Sequence, residues 1–222
     1  ETDVFVRVGS CVVWDDFVAY CVAKNYGGVE NLSLIPGEVG ATPIQNIGAY
    51  GVEVKDVIYK VECIDVATGE KRIFTNPECQ FAYRNSVFKH ELKGKYIVTA
   101  VWYKLSRQPK INVNYGSLAD EIKQYAELTL QSVRSAVISI RQRKLPEPKV
   151  LGNAGSFFLN PVVDKKQFEK LQQQYPYMPF YDLHDGSFKI PAGWLIEQCG
   201  WKGKSVGKVA VHGSQALVLI NK

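Results

Sequence analysis

Glu30-Asn31-Leu32-Ser33-Leu34-Ile35-Pro36-Gly37-Glu38-Val39-Gly40-Ala41-Thr42-Pro43-Ile44-Gln45-Asn46-Ile47-Gly48-Ala49-Tyr50-Gly51-Val52-Glu53 decides how this chain is read. Almost every position is glycine, small, apolar or an amide. Six of the 18 glycines fall between residues 27 and 51, at 27, 28, 37, 40, 48 and 51. Glycine tolerates positive φ and lets a flat or phosphorylated ligand approach the main chain. A long structural turn has the same composition. The stretch lacks the lysine of a phosphate loop and any strand-GxGxxG-helix arrangement, so neither common nucleotide motif explains it.

Composition bounds the rest. The chain has 222 residues, 46% apolar and 12% aromatic, enough for one large or two small domains with a real core. No run approaches the ~20 consecutive apolar residues of a membrane span, and no basic-then-apolar segment marks a signal peptide. Five cysteines (11, 21, 63, 79, 199) form an odd set without CxxC, and the three histidines (90, 184, 212) lie far apart. Reduced thiols in the cytoplasm and no metal site are expected. Lys plus Arg exceed Asp plus Glu by 27 − 22 = 5. That surplus suits an anionic small molecule and is too modest to argue for nucleic acid.

Outward from the glycine stretch, Val4-Phe5-Val6-Arg7-Val8 alternates as a strand, and Val13 to Ala23 carries Trp14, Phe17, Val18 and Cys21 at helical spacing. Val57 to Val66, the turn Ala67-Thr68-Gly69 and Arg72-Ile73-Phe74 predict a hairpin, and Tyr96 to Leu105 a long strand. Cys79 to Leu92 is polar and irregular. Thr129 is placed to cap a helix in which Leu130, Val133, Val137 and Ile140 form one apolar stripe, ending at Arg141-Gln142-Arg143-Lys144. Cations often close a helix because of its dipole. The stiff Leu145-Pro146-Glu147-Pro148-Lys149 predicts a domain boundary near residue 146. Beyond it lie helices around Gln167 to Gln174 and Trp194 to Cys199. A final strand, Gln215 to Ile220, is apolar enough to be buried on both faces, which suggests covering structure outside these residues.

Several polar constellations could carry chemistry. Asn153-Ala154-Gly155-Ser156-Phe157-Phe158 sets one hydroxyl among small residues and two aromatics, as a proton donor or nucleophile requires, or as an ordinary strand entry. Tyr83-Arg84-Asn85-Ser86 offers a guanidinium able to grip a carboxylate with two hydrogen bonds, or to form a surface ion pair. Tyr115 could cover a ligand or simply end a strand.

Gly28 through Val52, Tyr83 to Glu91, Lys144 to Pro148, Gly152 to Pro161, Ala192-Gly193-Trp194-Leu195-Ile196 and His212 to Asn221 occur in an order that closely resembles the UDP-N-acetylenolpyruvoylglucosamine reductase (MurB) family of peptidoglycan precursor synthesis. The Tyr115 segment resembles the family's tyrosine-loop form. The resemblance implies an α+β fold. Residues 1–145 would be the second subdomain of a two-subdomain FAD-binding domain of the VAO/PCMH type. Residues 146–222 would be a small α+β substrate-binding domain, incomplete at its C-terminus.

It also implies a monomeric flavoenzyme, free of membrane and nucleic acid, that passes hydride from NADPH through FAD to UDP-N-acetylglucosamine enolpyruvate and yields UDP-N-acetylmuramate. Pro36, Gly37, Gly40, Ala41, Thr42, Gln45, Asn46, Gly48 and Gly51 would hold FAD. Arg84 would grip the substrate carboxylate, and Ser156 would be the general acid. Tyr50, Tyr115, Lys144, Asn160 and Gln215 would contact substrate, with Tyr115 and Lys144 nearest the UDP phosphates. The family's first flavin subdomain, with its diphosphate loop, has no counterpart before Glu1, and its partner glutamate would lie beyond Lys222. The expectation is an internal piece, inactive alone. Two other readings of these residues stand beside this one: another flavin oxidoreductase of the same fold, and a noncatalytic UDP-sugar-binding module.

Overall fold

The computed structural model describes residues 2–222. In chain order they form β1 (Asp3–Gly9), α1 (Trp14–Ala23), α2 (Thr42–Gln45), β2 (Gly48–Ala49), β3 (Val52–Glu53), β4 (Ile58–Asp65), β5 (Lys71–Thr75), β6 (Tyr96–Ser106), α3 (Gly116–Glu121) and α4 (Leu130–Lys144). There follow β7 (Asn153–Ser156), β8 (Val162–Asp164), α5 (Lys165–Gln174), β9 (Tyr181–Asp182), β10 (Ser187–Lys189), α6 (Ala192–Gln198), β11 (Ser205–Val206), β12 (Val209–Val211) and β13 (Val218–Asn221). The chain up to Arg141 makes one compact unit and Gln142–Lys222 a second, so the division falls inside the last turn of α4. The class is α+β.

In the first unit an antiparallel sheet runs β1-β6-β4-β5. Its centre is β6, where Val101 stands opposite both Val8 and Val61. Alternation along β6 turns Val101, Tyr103 and Leu105 into the core, and a register shift against β4 at Glu62/Cys63 brings Val98 to the same face. The β4–β5 turn closes because the Asp65 carboxylate accepts from the amides of Ala67 (2.9 Å) and Thr68 (3.1 Å), while Gly69 takes φ 75°. Trp14, Phe17 and Tyr103 pack ring on ring, at centroid separations of 4.8 to 5.9 Å, and join α1 to the sheet. The segment from Cys79 to Leu92 is irregular as expected, yet Cys79, Val87 and Phe88 are core residues.

Thr129 caps α4 as its side chain predicts. Its Oγ1 accepts from the Ser132 amide at 3.0 Å, and Ser132 Oγ accepts from the Thr129 amide at 2.8 Å. Leu130, Val133, Val137 and Ile140 are all buried, the last three with Leu118 of α3 and Ala136. Each such side chain contributes about 1.5–3 kcal/mol.

In the second unit α5 and α6 pack on a small sheet, β8-β10-β9, through Phe168, Met178 and Ile190. A second sheet runs β11-β12-β13-β7. The last strand is shorter than its composition predicts. Gln215 to Leu217 form a turn, closed by Val218 N–H donating to Gln215 O at 3.0 Å, and only Val218–Asn221 are strand. Its side chains alternate in burial instead of being hidden on both faces, although β13 is paired on both edges.

Candidate active site

The glycine stretch folds as a scaffold in the first unit. Its first part is zipped to the connection from β1 to the start of α1: Trp14 N–H donates to Gly37 O (2.9 Å), Val39 N–H to Val12 O (2.9 Å) and Gly40 N–H to Ser10 O (2.8 Å). A Cβ on Gly40 would meet Ser10 Cβ at 2.7 Å, so only glycine allows this approach. A cleft of about 490 Å³ opens there, lined by Ser10, Gly37, Glu38, Gly40, Ala41, Ile44 and Val98. Thr42, at the start of α2, is buried. Its hydroxyl sits 2.8 Å from Val39 O and 2.8 Å from the hydroxyl of Tyr103, whose burial pushes its own pKa well up.

Asn46 ends α2 in the left-handed conformation, φ 45°, and is fully buried. Its Nδ2 donates to Glu53 Oε2 (3.1 Å) and Ala82 O (2.9 Å), and its Oδ1 accepts from Lys55 N–H (3.0 Å). One side chain thus joins the glycine stretch to the Tyr83-Arg84 turn. That turn is a tight one, with Ala82 and Asn85 exchanging main-chain hydrogen bonds and Arg84 at φ 51°. Ser86 Oγ donates to Ile44 O at 2.6 Å and anchors its far side.

Arg84 is half-buried, not a free surface charge. Its guanidinium donates to Asn46 O (3.3 Å) and to Gly48 O, and it lies 3.4 Å from Glu53 Oε1. Lys55 Nζ shares Glu53 at 3.0 Å. A strained, positive-φ arginine held by its neighbours' carbonyls is the kind of geometry found where a side chain must be aimed.

Tyr50 and Gly51 turn the β2–β3 hairpin, both at positive φ (49° and 79°). The Tyr50 ring meets Tyr115 edge-on at 6.0 Å. Its hydroxyl is hydrogen-bonded to Arg141, and burial raises its pKa while Arg141 pulls it down. Arg141 Nε also donates to Leu34 O at 3.2 Å, and burial lowers its pKa. By sequence Arg141 is one of several cations closing a helix. The structure turns it inward, beside Arg134, whose guanidinium pairs with both oxygens of Asp15 (2.7 and 2.8 Å). Arg134 and Arg141 are seven residues apart and so share a helix face. That spacing was the available signal.

In the second unit Asn153 folds the serine motif. Its Nδ2 donates to Leu151 O (2.9 Å) and Pro146 O (3.3 Å), and its Oδ1 accepts from Gly155 N–H (3.0 Å). Ser156 ends β7 opposite Val218 and is exposed, as are Phe157 and Phe158. The Phe157 amide donates to Leu217 O at 2.9 Å, which brings the serine motif to the turn carrying Gln215. Asn160 Oδ1 accepts from Ala192 N–H at 2.9 Å and so holds the start of α6. Lys144 is exposed. The first unit therefore gathers Arg84, Tyr50, Tyr115 and the glycine stretch; the second gathers Ser156, Gln215 and Asn160.

A relative from Bacteroides fragilis named UDP-N-acetylenolpyruvoylglucosamine reductase is 53% identical to this chain, over 100% of it and 67% of its own length. The chain belongs to the UDP-N-acetylenolpyruvoylglucosamine reductase family. Relatives of the same name from Flavobacterium johnsoniae and Porphyromonas gingivalis are 51% and 52% identical over the whole chain, and cover 67% and 66% of their own lengths. The chain thus spans about two thirds of these reductases. A family model of an FAD binding domain matches residues 1–74, and the reductase C-terminal domain model matches residues 146–222. The crystal structure of the reductase from Thermus caldophilus superposes with a TM-score of 0.66 at 23% identity, over 97% of this chain and 61% of that one, and supports the fold. Among the described residues no cluster of three or more His, Cys, Asp or Glu could hold a metal, and no helix is long and apolar enough to cross a membrane.

Proposed function

We propose that the protein reduces the enolpyruvyl group of UDP-N-acetylglucosamine enolpyruvate to give UDP-N-acetylmuramate, using FAD and NADPH. The observation that carries this reading is the Arg84 guanidinium seated on the carbonyls of Asn46 and Gly48. It fixes a permanent positive charge at the edge of the glycine stretch.

The residues present fit FAD. The cleft at residues 37–41 is of ligand size and is lined by main chain and small side chains. Its one ionisable lining residue is the acid Glu38, so it suits an uncharged flat group. Pro36, Gly37, Ala41, Gln45 and Gly51 are exposed and available as contacts. Thr42 and Asn46 hold the scaffold with their side chains, and Gly40 and Gly48 admit the close approach of Ser10 and Arg84 that shapes it. When bound, FAD supplies the hydride chemistry between NADPH and C3 of the enolpyruvyl group.

The chain's own groups then do three things. Arg84 binds the substrate carboxylate and stabilises the negative charge that grows on it as C3 gains hydride, an effect worth roughly 3–4 kcal/mol for a well-placed donor. Ser156 gives its hydroxyl proton to C2, completing the addition across the double bond. Tyr50, Tyr115, Lys144, Asn160 and Gln215 orient the UDP-sugar.

The test is an anaerobic spectral titration of the full-length protein. Bound flavin should bleach with NADPH and recover its absorbance with one equivalent of UDP-N-acetylglucosamine enolpyruvate. Bleaching that only oxygen reverses would refute the reading.

A further inference from the structure

Asn31 lies in the turn Glu30–Leu32 and is 1% exposed, yet its amide is spent on two segments far from it in sequence. Nδ2 donates to Tyr50 O at 3.0 Å and to Asn112 O at 2.8 Å. The first carbonyl belongs to the β2–β3 hairpin, the second to the irregular segment that leads to Tyr115. Asn112 reinforces the join, its Nδ2 reaching Gly51 O at 3.4 Å. Residues 109–114 have no ladder of their own, so this segment depends on side chains to hold it. The Tyr50 and Tyr115 rings meet edge-on directly beyond the join.

The other half of the amide finds nothing among the described residues: Oδ1 is buried without a hydrogen-bond partner there. A buried orphan acceptor is costly. The two donated bonds offset that cost only by tying two segments together, and an apolar side chain at 31 could fill the space without it but could not make the tie.

We propose that Asn31 is a positioning residue for substrate recognition, clasping the Tyr115 segment onto the Tyr50 hairpin. The inference rests on the reading that Tyr50 and Tyr115 contact the UDP-sugar. Without the clasp the Tyr115 segment moves independently of the hairpin, and the edge-on pairing of the two tyrosines is no longer set before substrate arrives.

The test uses the full-length protein with Asn31→Ala, Tyr115→Ala and the double variant. In Asn31→Ala, amide hydrogen exchange across residues 111–118 should quicken about tenfold or more while β4 and β6 are unchanged. KM for UDP-N-acetylglucosamine enolpyruvate should rise about tenfold, with flavin reduction by NADPH within about twofold of the parent. Because Asn31 acts through Tyr115, the double variant should be no worse than Tyr115→Ala, within about twofold. Unchanged exchange at 111–118, or KM effects that multiply, would overturn the proposal. Should Asn31→Ala not fold, Asn31→Ser, which keeps one donor, should show the same pattern at smaller amplitude, and its absence would overturn it equally. If the parent protein does not react with the enolpyruvyl substrate, the functional reading fails, while the exchange experiment still decides the clasp.

Discussion

The Arg84 guanidinium occupies the space that any side chain on Gly48 would need: a Cβ there would lie 2.6 Å from Arg84 Nη1 and 2.9 Å from Val52 O. The glycine and the arginine are 36 residues apart, and each makes sense only with the other in place. Glycine at 48 is required by what sits over it, since its own φ is not positive.

Gly48→Ala should therefore act as an Arg84 variant. We expect kcat/KM for the enolpyruvyl substrate to fall by about 10²-fold or more, the scale of a lost charge-stabilising donor. The double variant Gly48→Ala with Arg84→Ala should be little worse than Arg84→Ala alone, because both remove the same interaction. Steady-state kinetics of the three proteins checks this, and fully multiplicative losses would contradict it.

The pair Arg134 and Asp15 locks α4 to the start of α1. Burial works to raise the Asp15 pKa, but the hydrogen bonds from Arg134 and from the Leu34 amide, with the charges of Arg134 and Arg141, outweigh it, and the pKa is lowered. Asp15→Asn should cost roughly 2 kcal/mol, less than the ~3–5 of a fully buried pair because both side chains keep some exposure. Urea unfolding should show an earlier midpoint with unchanged slope.

Acid sensitivity should have a source on the outer face of the sheet. Hydrogen bonds from Arg7 and Trp102 hold the Glu62 carboxyl at about 2, against an ordinary 4.5. A depressed folded-state pKa gives stability that is complete above the ordinary value and lost as pH falls from about 4.5 toward 2. Glu62→Gln should flatten the urea midpoint against pH within that window and leave its slope near neutrality unchanged. An unaltered acid limb would count against the role given to Glu62.

Thiol reactivity should divide the five cysteines. Cys11 and Cys199 are exposed, whereas burial pushes Cys21, Cys63 and Cys79 up to about 12. Alkylation of the native protein at pH 8, mapped by mass spectrometry, should label Cys11 and Cys199 quickly and the other three only on unfolding.

Much of the architecture was legible because it follows local periodicity. The alternation in Val4 to Val8, the apolar stripe of α4 with its Thr129 cap, and the Ala67-Thr68-Gly69 turn are each decided by neighbours within a few positions. The glycine stretch was legible as main chain that something approaches closely, and Gly40 meets Ser10 and Gly48 meets Arg84. Its internal wiring was not. Asn31 reaches Asn112 across 81 residues and Asn46 reaches Ala82 across 36, and no spacing rule links an asparagine to a distant carbonyl. Arg141 was hidden by its company, since three of the four residues at 141–144 are cations and only the face it shares with Arg134 separates it from the rest. The final strand was read too long because Gln215-Ala216-Leu217 has strand composition, while the bond from Val218 N–H to Gln215 O folds it into a turn.

The central proposal is that the protein reduces an enolpyruvyl group, with Ser156 giving the proton, and stopped-flow spectroscopy of Ser156→Ala in the full-length protein tests it most directly. Flavin reduction by NADPH should match the parent, while reoxidation by UDP-N-acetylglucosamine enolpyruvate should slow by about 10²-fold or more, the scale of a lost general acid. Reoxidation at the parent rate would contradict the account.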